Sequence, residues 1–279
     1  MLAADLNPQR TAARTVRLRM LALAALLLVA RLALIDHPVP VHGDDERFAL
    51  GVVYLDDLVF GASDRVRQGV LAPTGGYPVH HPGYPLWVVL AVPFYRLGLS
   101  PYAALTLWTV VASVLGPLAL YRLAASFVSD ATAWWLALAY SLGPMHWFLS
   151  VTALNYTAAS AAGLGVVWFV WRSLSDATTA GYRSLGVAVL LLAVACGVRP
   201  DLLLWYGPLV LWAAWRRGWR STLTALVGLL TAAAIWTLLL AWLYESGTPV
   251  DSGPRLDHTL QKLLATSVFR LGLIDGPVR

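Results

Sequence analysis

Three consecutive carboxylates, Asp44, Asp45 and Glu46, stand between His42-Gly43 and Arg47. Farther on the chain reads His80-His81-Pro82-Gly83-Tyr84-Pro85-Leu86, and Arg199-Pro200-Asp201 sets two opposite charges between apolar runs. Carboxylates crowded beside an apolar segment are costly unless water solvates them or chemistry uses them. The bland reading is a solvated loop. Imidazoles and carboxylates sharing a loop are also a donor set for a divalent cation, with His42, Asp44, Asp45, His80 and His81 as the candidates. An ionisable group at the end of an apolar run is a functional hypothesis by default. The bland reading of Arg199 is a side chain that snorkels and pairs with Asp201.

The elements that must hold these residues follow from composition. Of 279 residues, 58% are hydrophobic and 13% charged, and the mean hydropathy is +0.66. Soluble domains carry roughly a quarter charged residues, so the shortfall excludes a soluble domain, a disordered chain, a collagen and a coiled coil. Cys196 is the one cysteine, which rules out an intramolecular disulfide and a cysteine metal site. The net charge of +5 is scattered between apolar runs. It reads as a topology signal and not as a nucleic-acid surface.

A bilayer-crossing helix needs about 17–25 apolar residues. Seven stretches read as crossings, some of them shorter than this: 18–35, 101–121, 131–149, 157–171, 184–198, 201–215 and 221–243. The fifth and sixth are short, and Arg199-Pro200-Asp201 between them reads as a tight turn joining antiparallel helices. An eighth stretch, 82–99, is short, holds Pro82, Pro85 and Pro93, and carries Arg96. If it does not cross and the N-terminus is cytoplasmic, the inside segments hold Arg10, Arg14, Arg17, Arg19, Arg122, Arg172, Arg183, Arg216, Arg217 and Arg220. The short outer connections then hold only Arg199. If 82–99 crosses, Arg172, Arg183 and the Trp215-Arg216-Arg217-Gly218-Trp219-Arg220 cluster fall outside. Cytoplasmic loops are enriched in Lys and Arg, which favours the first arrangement. The stretch 82–99 is therefore expected to lie on or dip into the outer interface.

The expected protein is an all-α, multi-pass membrane protein: one transmembrane domain over 1–279, N-terminus inside and C-terminus outside. A long first outer loop spans 36–100, with an amphipathic helix expected over 48–60 whose Asp56-Asp57 form a wet face. An outer segment spans 244–279, where Leu256, Leu260, Leu263, Leu264, Ser267 and Leu271 share one helical face, as in a helix lying flat on the membrane. The first apolar run is interrupted by Arg31 and lacks a small-residue cleavage site, so it reads as a retained anchor. Arg31 itself is expected to snorkel to the interface. Asn155-Tyr156-Thr157 matches a glycosylation sequon but falls in a very short connection and reads as chance. Trp134, Trp135, Trp147, Trp168, Trp171, Trp215 and Trp219 cluster at span ends as an interfacial belt.

The ordered set of motifs resembles the GT-C superfamily of membrane glycosyltransferases, in the branch of the protein O-mannosyltransferases and the lipid A aminoarabinose transferases. Asp45-Glu46-Arg47-Phe48 matches that branch's acidic pair beside an aromatic residue. His81-Pro82-Gly83-Tyr84-Pro85-Leu86 matches its His-Pro-Pro-Leu entry to an interfacial helix, with Gly83 where a second proline is usual. Tyr121-Arg122, Ser141-Leu142-Gly143-Pro144 and Arg199-Pro200-Asp201 fit as well. The resemblance covers about residues 15–215.

The resemblance implies a transferase that takes a sugar from a polyprenyl-phosphate carrier at the outer face of a cell inner or plasma membrane. Asp45 would be the general base on the acceptor hydroxyl, with Asp44 its close competitor and Glu46 orienting a neighbour. Partial desolvation makes a carboxylate a better base. A cation beside the departing phosphate is needed; Arg199 is the first candidate, with Arg47 and Arg96 weaker. His80, His81 and Tyr84 are substrate-binding candidates, the imidazoles standing against a structural role as caps. The closest branch needs no metal, so none is assigned and no cofactor is expected. The partners are the donor lipid and the bilayer, not nucleic acid; the oligomeric state is not legible. Two other readings stay open: a non-catalytic membrane protein such as a transporter subunit or scaffold, and a truncated transferase, because such enzymes are usually longer.

Overall fold

The computed structural model describes residues 8–35, 44–60 and 84–246. Among these residues the regular structure is entirely α-helical. Helices α1 (Pro8–Leu32), α2 (Asp44–Phe60) and α3 (Pro85–Arg96) precede α4 (Pro101–Ala124), α5 (Asp130–Leu142) and α6 (Pro144–Leu149). Helices α7 (Tyr156–Ser175), α8 (Thr179–Val198), α9 (Leu202–Arg216) and α10 (Trp219–Ser246) complete the described chain.

Local signals start the helices. Ser100 caps α4, its hydroxyl accepting from the Ala103 N–H at 3.1 Å with Pro101 behind it. Ser129 does the same for α5 and Thr178 for α8. Such caps satisfy amide donors that have no partner within the helix, and proline suits the first turn because its missing N–H is not needed there. Gly98 and Gly218, at φ +98° and +114°, make the turns before α4 and α10.

Among the described residues three helices are long and apolar enough to cross a bilayer: α4, α8 and Trp219–Trp242 of α10. The other apolar stretches form helices too, with different bounds. α1 begins earlier than the hydropathy suggests, and α9 has 15 residues. At 1.5 Å per residue α9 is about 22 Å long, short of the ~30 Å hydrocarbon core. The stretch 131–149 is not one helix: it breaks at Gly143, where ψ of 133° leaves the helical region and Pro144 starts α6. The stretch 82–99 yields the 12-residue α3, about 18 Å long and so too short to span.

α7 is the hub, packing on α4, α8 and α9. Small residues let it approach: a Cβ on Gly163 would meet the Tyr206 ring, and one on Gly116 of α4 would lie 3.5 Å from Ala161. A second core lies beneath α2 and α3, where Phe48, Val52, Trp87 and Val88 pack with Ala104, Leu105, Leu154 and Val198. The Trp87 indole donates to the Ala153 carbonyl at 3.1 Å, fixing α3 to the connection before α7. α4 has 24 residues, about 36 Å, which separates the two ends of the bundle. At one end Arg19, Tyr121 and Asp130 form a hydrogen-bonded group, and Arg217 holds the Ser173 and Asp176 carbonyls that close α7. At the other lie the starts of α2, α3, α4 and α7 and the α8–α9 turn.

Three expectations change. The acids precede the expected helix in the sequence reading, yet Asp44, Asp45 and Glu46 form the first turn of α2; carboxylates there meet the positive end of the helix dipole. Asp56 is not on a wet face: it is 7% exposed and pairs with Arg96 at 3.4 Å. Arg31 does not snorkel; it is fully buried, held by Ser150 and Ser141. The expected helix near 256–271 lies outside the described residues.

Candidate functional site

The acidic turn of α2 is graded in exposure. Asp45 is 2% exposed, Asp44 is half-buried, and Glu46 and Arg47 are exposed. Helical geometry explains the grading. Asp45 precedes Phe48, Ala49 and Val52 on the face that packs into the core, since residues three and four apart stack on one side of a helix. Asp45 Oδ1 accepts from the Glu46 N–H at 2.9 Å. Among three adjacent acids, the helix thus turns one inward and two outward or to the edge.

An aromatic relay runs from this turn to a buried cation. Phe48, three residues after Asp45, meets the Tyr84 ring edge-on at 5.3 Å. Tyr84 is the residue before Pro85 and so caps α3. The Arg199 guanidinium lies 5.9 Å from the centre of the Tyr84 ring and 4.8 Å from that of Tyr156. Such stacking suits a flat, weakly hydrated cation. Arg199 follows the last residue of α8 and is 7% exposed. Its Nε and Nη2 donate to the two Asp201 carboxylate oxygens at 3.1 and 2.9 Å, a bidentate fork. Burial works against the charged form, but the bonds and charge of Asp201, with Tyr84 and Tyr156, outweigh it and raise the guanidinium pKa above its ordinary value. Arg199 therefore stays a cation.

Two residues that the sequence reading did not single out belong to this end. Tyr102, in the first turn of α4, lies within electrostatic reach of Asp45 and Glu46. Tyr156 opens α7 beside Asn155, whose Nδ2 donates to the Val198 carbonyl at 2.8 Å. That bond ties the start of α7 to the end of α8 and so sets Tyr156 against Arg199. Asn155 is 2% exposed, so the sequon match is a packed structural amide. The signal for Tyr102 was Ser100-Pro101, a helix start immediately before it. The signal for Tyr156 was its place in a short connection facing Arg199-Pro200-Asp201.

The structure thus connects Phe48, Tyr84 and Arg199, with Asp45 three residues before Phe48 on α2, and leaves Glu46 and Arg47 turned to the exterior. Arg96 is engaged elsewhere, between Asp56 and the Phe60 ring at 3.9 Å. His42, His80 and His81 lie outside the described residues. Among the described residues no group of three His, Cys, Asp or Glu side chains is arranged to hold a metal. A buried carboxylate, a phenol close to it and a stacked buried guanidinium at one end of a helical bundle can take a proton from a hydroxyl and neutralise an anionic group. No known protein family, no curated protein and no solved structure matches this chain.

Proposed function

We propose that this protein is a membrane glycosyltransferase that moves a sugar from a polyprenyl-phosphate donor to a hydroxyl acceptor at the outer face of the membrane. Asp45 takes the proton from the acceptor hydroxyl as its oxygen attacks the anomeric carbon. The bond from that carbon to the phosphate oxygen breaks, and the lipid phosphate departs beside Arg199. Asp44 is the competing base, and Glu46 orients a neighbour. Tyr84 and Tyr156 hold the guanidinium in place and offer ring faces to the sugar. His80 and His81 lie four and three residues before Tyr84 and are assigned to substrate by the motif resemblance, as Arg47 is more weakly. No metal is assigned.

The observation that carries this reading is the burial of one carboxylate, Asp45, at the same end of the bundle as the buried Arg199. A solvated acidic loop explains Glu46, but not a carboxylate turned into the core. The motif resemblance supplies the donor class, and the apolar composition supplies the lipid phase.

In this reading α1, α5 with α6, α7, and α9 extended by the turns at its two ends cross the membrane together with the three long apolar helices, making seven spans. The site end then faces outward, and the Arg19–Asp130 and Arg217 groups face the cytoplasm. Sidedness is open to thiol labelling. Gly218 has a positive φ that a cysteine would strain, so the probe belongs at exposed Trp219. In a Cys196→Ala background, Trp219→Cys is expected to react only from the cytoplasmic side; reaction from outside inverts the topology. The function itself is tested by incubating the purified chain in nanodiscs with polyprenyl-phosphate sugars and an alcohol acceptor. Release of free polyprenyl phosphate is expected, and no release across a panel of hexose and pentose donors rejects the proposal.

A further inference from the structure

The last turn of α1 carries a cation that no described side chain neutralises. Arg31 is fully buried. Its Nε donates to Ser150 Oγ at 2.7 Å and its Nη2 to the Ser141 carbonyl at 2.9 Å. The guanidinium sits 5.2 Å from the Trp147 ring centre. Its Nη1 is buried and has no hydrogen-bond partner. Among the described residues the ion pairs belong to Arg19, Arg96 and Arg199, and none reaches Arg31.

This arrangement is incomplete in a specific way. Among the described residues both acceptors on Arg31 are neutral oxygens, and the Nη1 hydrogens have no acceptor. An arginine cannot relieve the situation by losing its proton. A buried charge without an opposite charge is among the most costly features a fold can carry. The surrounding polar groups do not supply one: His146 is turned to the Ser113 carbonyl and lies against Tyr140, and the Tyr140 hydroxyl is bonded to Ser160. The site needs an anion from outside the described chain, with oxygen atoms that fit a planar fork.

We infer that Arg31, with Ser141, Ser150 and Trp147, forms a binding site for a phosphate-bearing anion, whose oxygens accept from Nη1. Arg31 lies one residue from the end of α1; with α1 crossing as proposed above, that is where a helix leaves the hydrocarbon for the headgroup layer. Leu32, Leu142 and Phe148, each adjacent in sequence to a residue of the site, and Met145, two residues before Trp147, are exposed apolar side chains. They provide acyl-chain surface if the phosphate belongs to a lipid. The site shares no residue with the Arg199 group and does not rest on the transferase reading.

The experiment uses the full chain with two probes, dioleoyl phosphatidylglycerol and inorganic phosphate. Lipid retention is read by native mass spectrometry after detergent exchange, and anion stabilisation by the thermal midpoint. Zwitterionic phosphatidylcholine is the control. The wild type is expected to retain phosphatidylglycerol over phosphatidylcholine and to gain stability saturably with anion. Arg31→Gln is expected to lose about tenfold or more in affinity, as for one charge-assisted pair, while Arg31→Lys retains part of it. Retention of the lipid with no effect of inorganic phosphate identifies a headgroup; stabilisation by inorganic phosphate alone identifies a free anion. Equal anion binding by Arg31→Gln and wild type overturns the proposal. If Arg31→Gln does not fold, the wild-type titration still decides, because absence of saturable anion binding there overturns it as well. Turnover is not read, so failure here and failure of the transferase assignment are seen separately.

Discussion

Asp45→Asn is expected to lower sugar transfer by about 10²–10⁴-fold, the usual contribution of a positioned general base. Membrane insertion and the helical fold should stay intact. Asparagine has nearly the shape of aspartate and is as good a residue at a helix start. The lost charge at the N-terminal end of α2 costs only about 0.3–1 kcal/mol through the helix dipole, and Asp44 and Glu46 remain there. Asp44→Asn should cost much less, because Asp44 is only half-buried while Asp45 is turned into the core. Turnover of polyprenyl-phosphate sugar, measured for both single variants and the pair, separates the two. Turnover surviving in the Asp44→Asn/Asp45→Asn pair would falsify the general-base assignment.

Arg199 gives the second large effect. Arg199→Gln should weaken donor turnover by about 10²–10³-fold, the size seen when one donor to a developing anion is removed. The variant also deprives Asp201 of its fork, and breaking a largely buried ion pair costs about 3–5 kcal/mol of stability, so activity alone does not distinguish the causes. Asp201→Asn resolves them. It removes the fork but leaves the cation between Tyr84 and Tyr156. If Arg199 serves the donor phosphate, Asp201→Asn keeps most donor affinity at a lowered thermal midpoint, while Arg199→Gln loses both. Equal loss of donor affinity in both variants would show that Arg199 acts only by holding the α8–α9 turn.

What could be read from the residues alone depended on whether the deciding partner was near in sequence. The shortness of α3 was legible because Pro85, Pro93 and Arg96 sit inside the stretch itself. The Arg199–Asp201 pair was legible because its partners are two residues apart. The start of α2 was misplaced because a run of acids reads as solvated loop, although the same acids favour the first turn of a helix. The break of 131–149 was hidden because a hydropathy window sums over Gly143-Pro144. Arg31 was misread for a different reason: its partners Ser141 and Ser150 lie over a hundred residues away, and no local pattern announces them. Tyr102 and Tyr156 were missed likewise, since each gains meaning only when α4 and α7 bring it to the end where α2 starts and α8 terminates. In the candidate site, the residue types were legible and the grading of Asp44, Asp45 and Glu46 was not, because exposure at adjacent positions depends on which face of α2 is packed.

The most direct measurement is the position of the phosphate in a structure of the protein with a bound polyprenyl-phosphate donor. The expected result is a phosphate oxygen within about 2.7–3.2 Å of an Arg199 nitrogen, the sugar lying between it and Asp45, and the prenyl chain running to the apolar surface. The donor's phosphate seated at the Arg19–Asp130 end, with Arg199 still closed on Asp201 and Asp45 away from the sugar, contradicts the account.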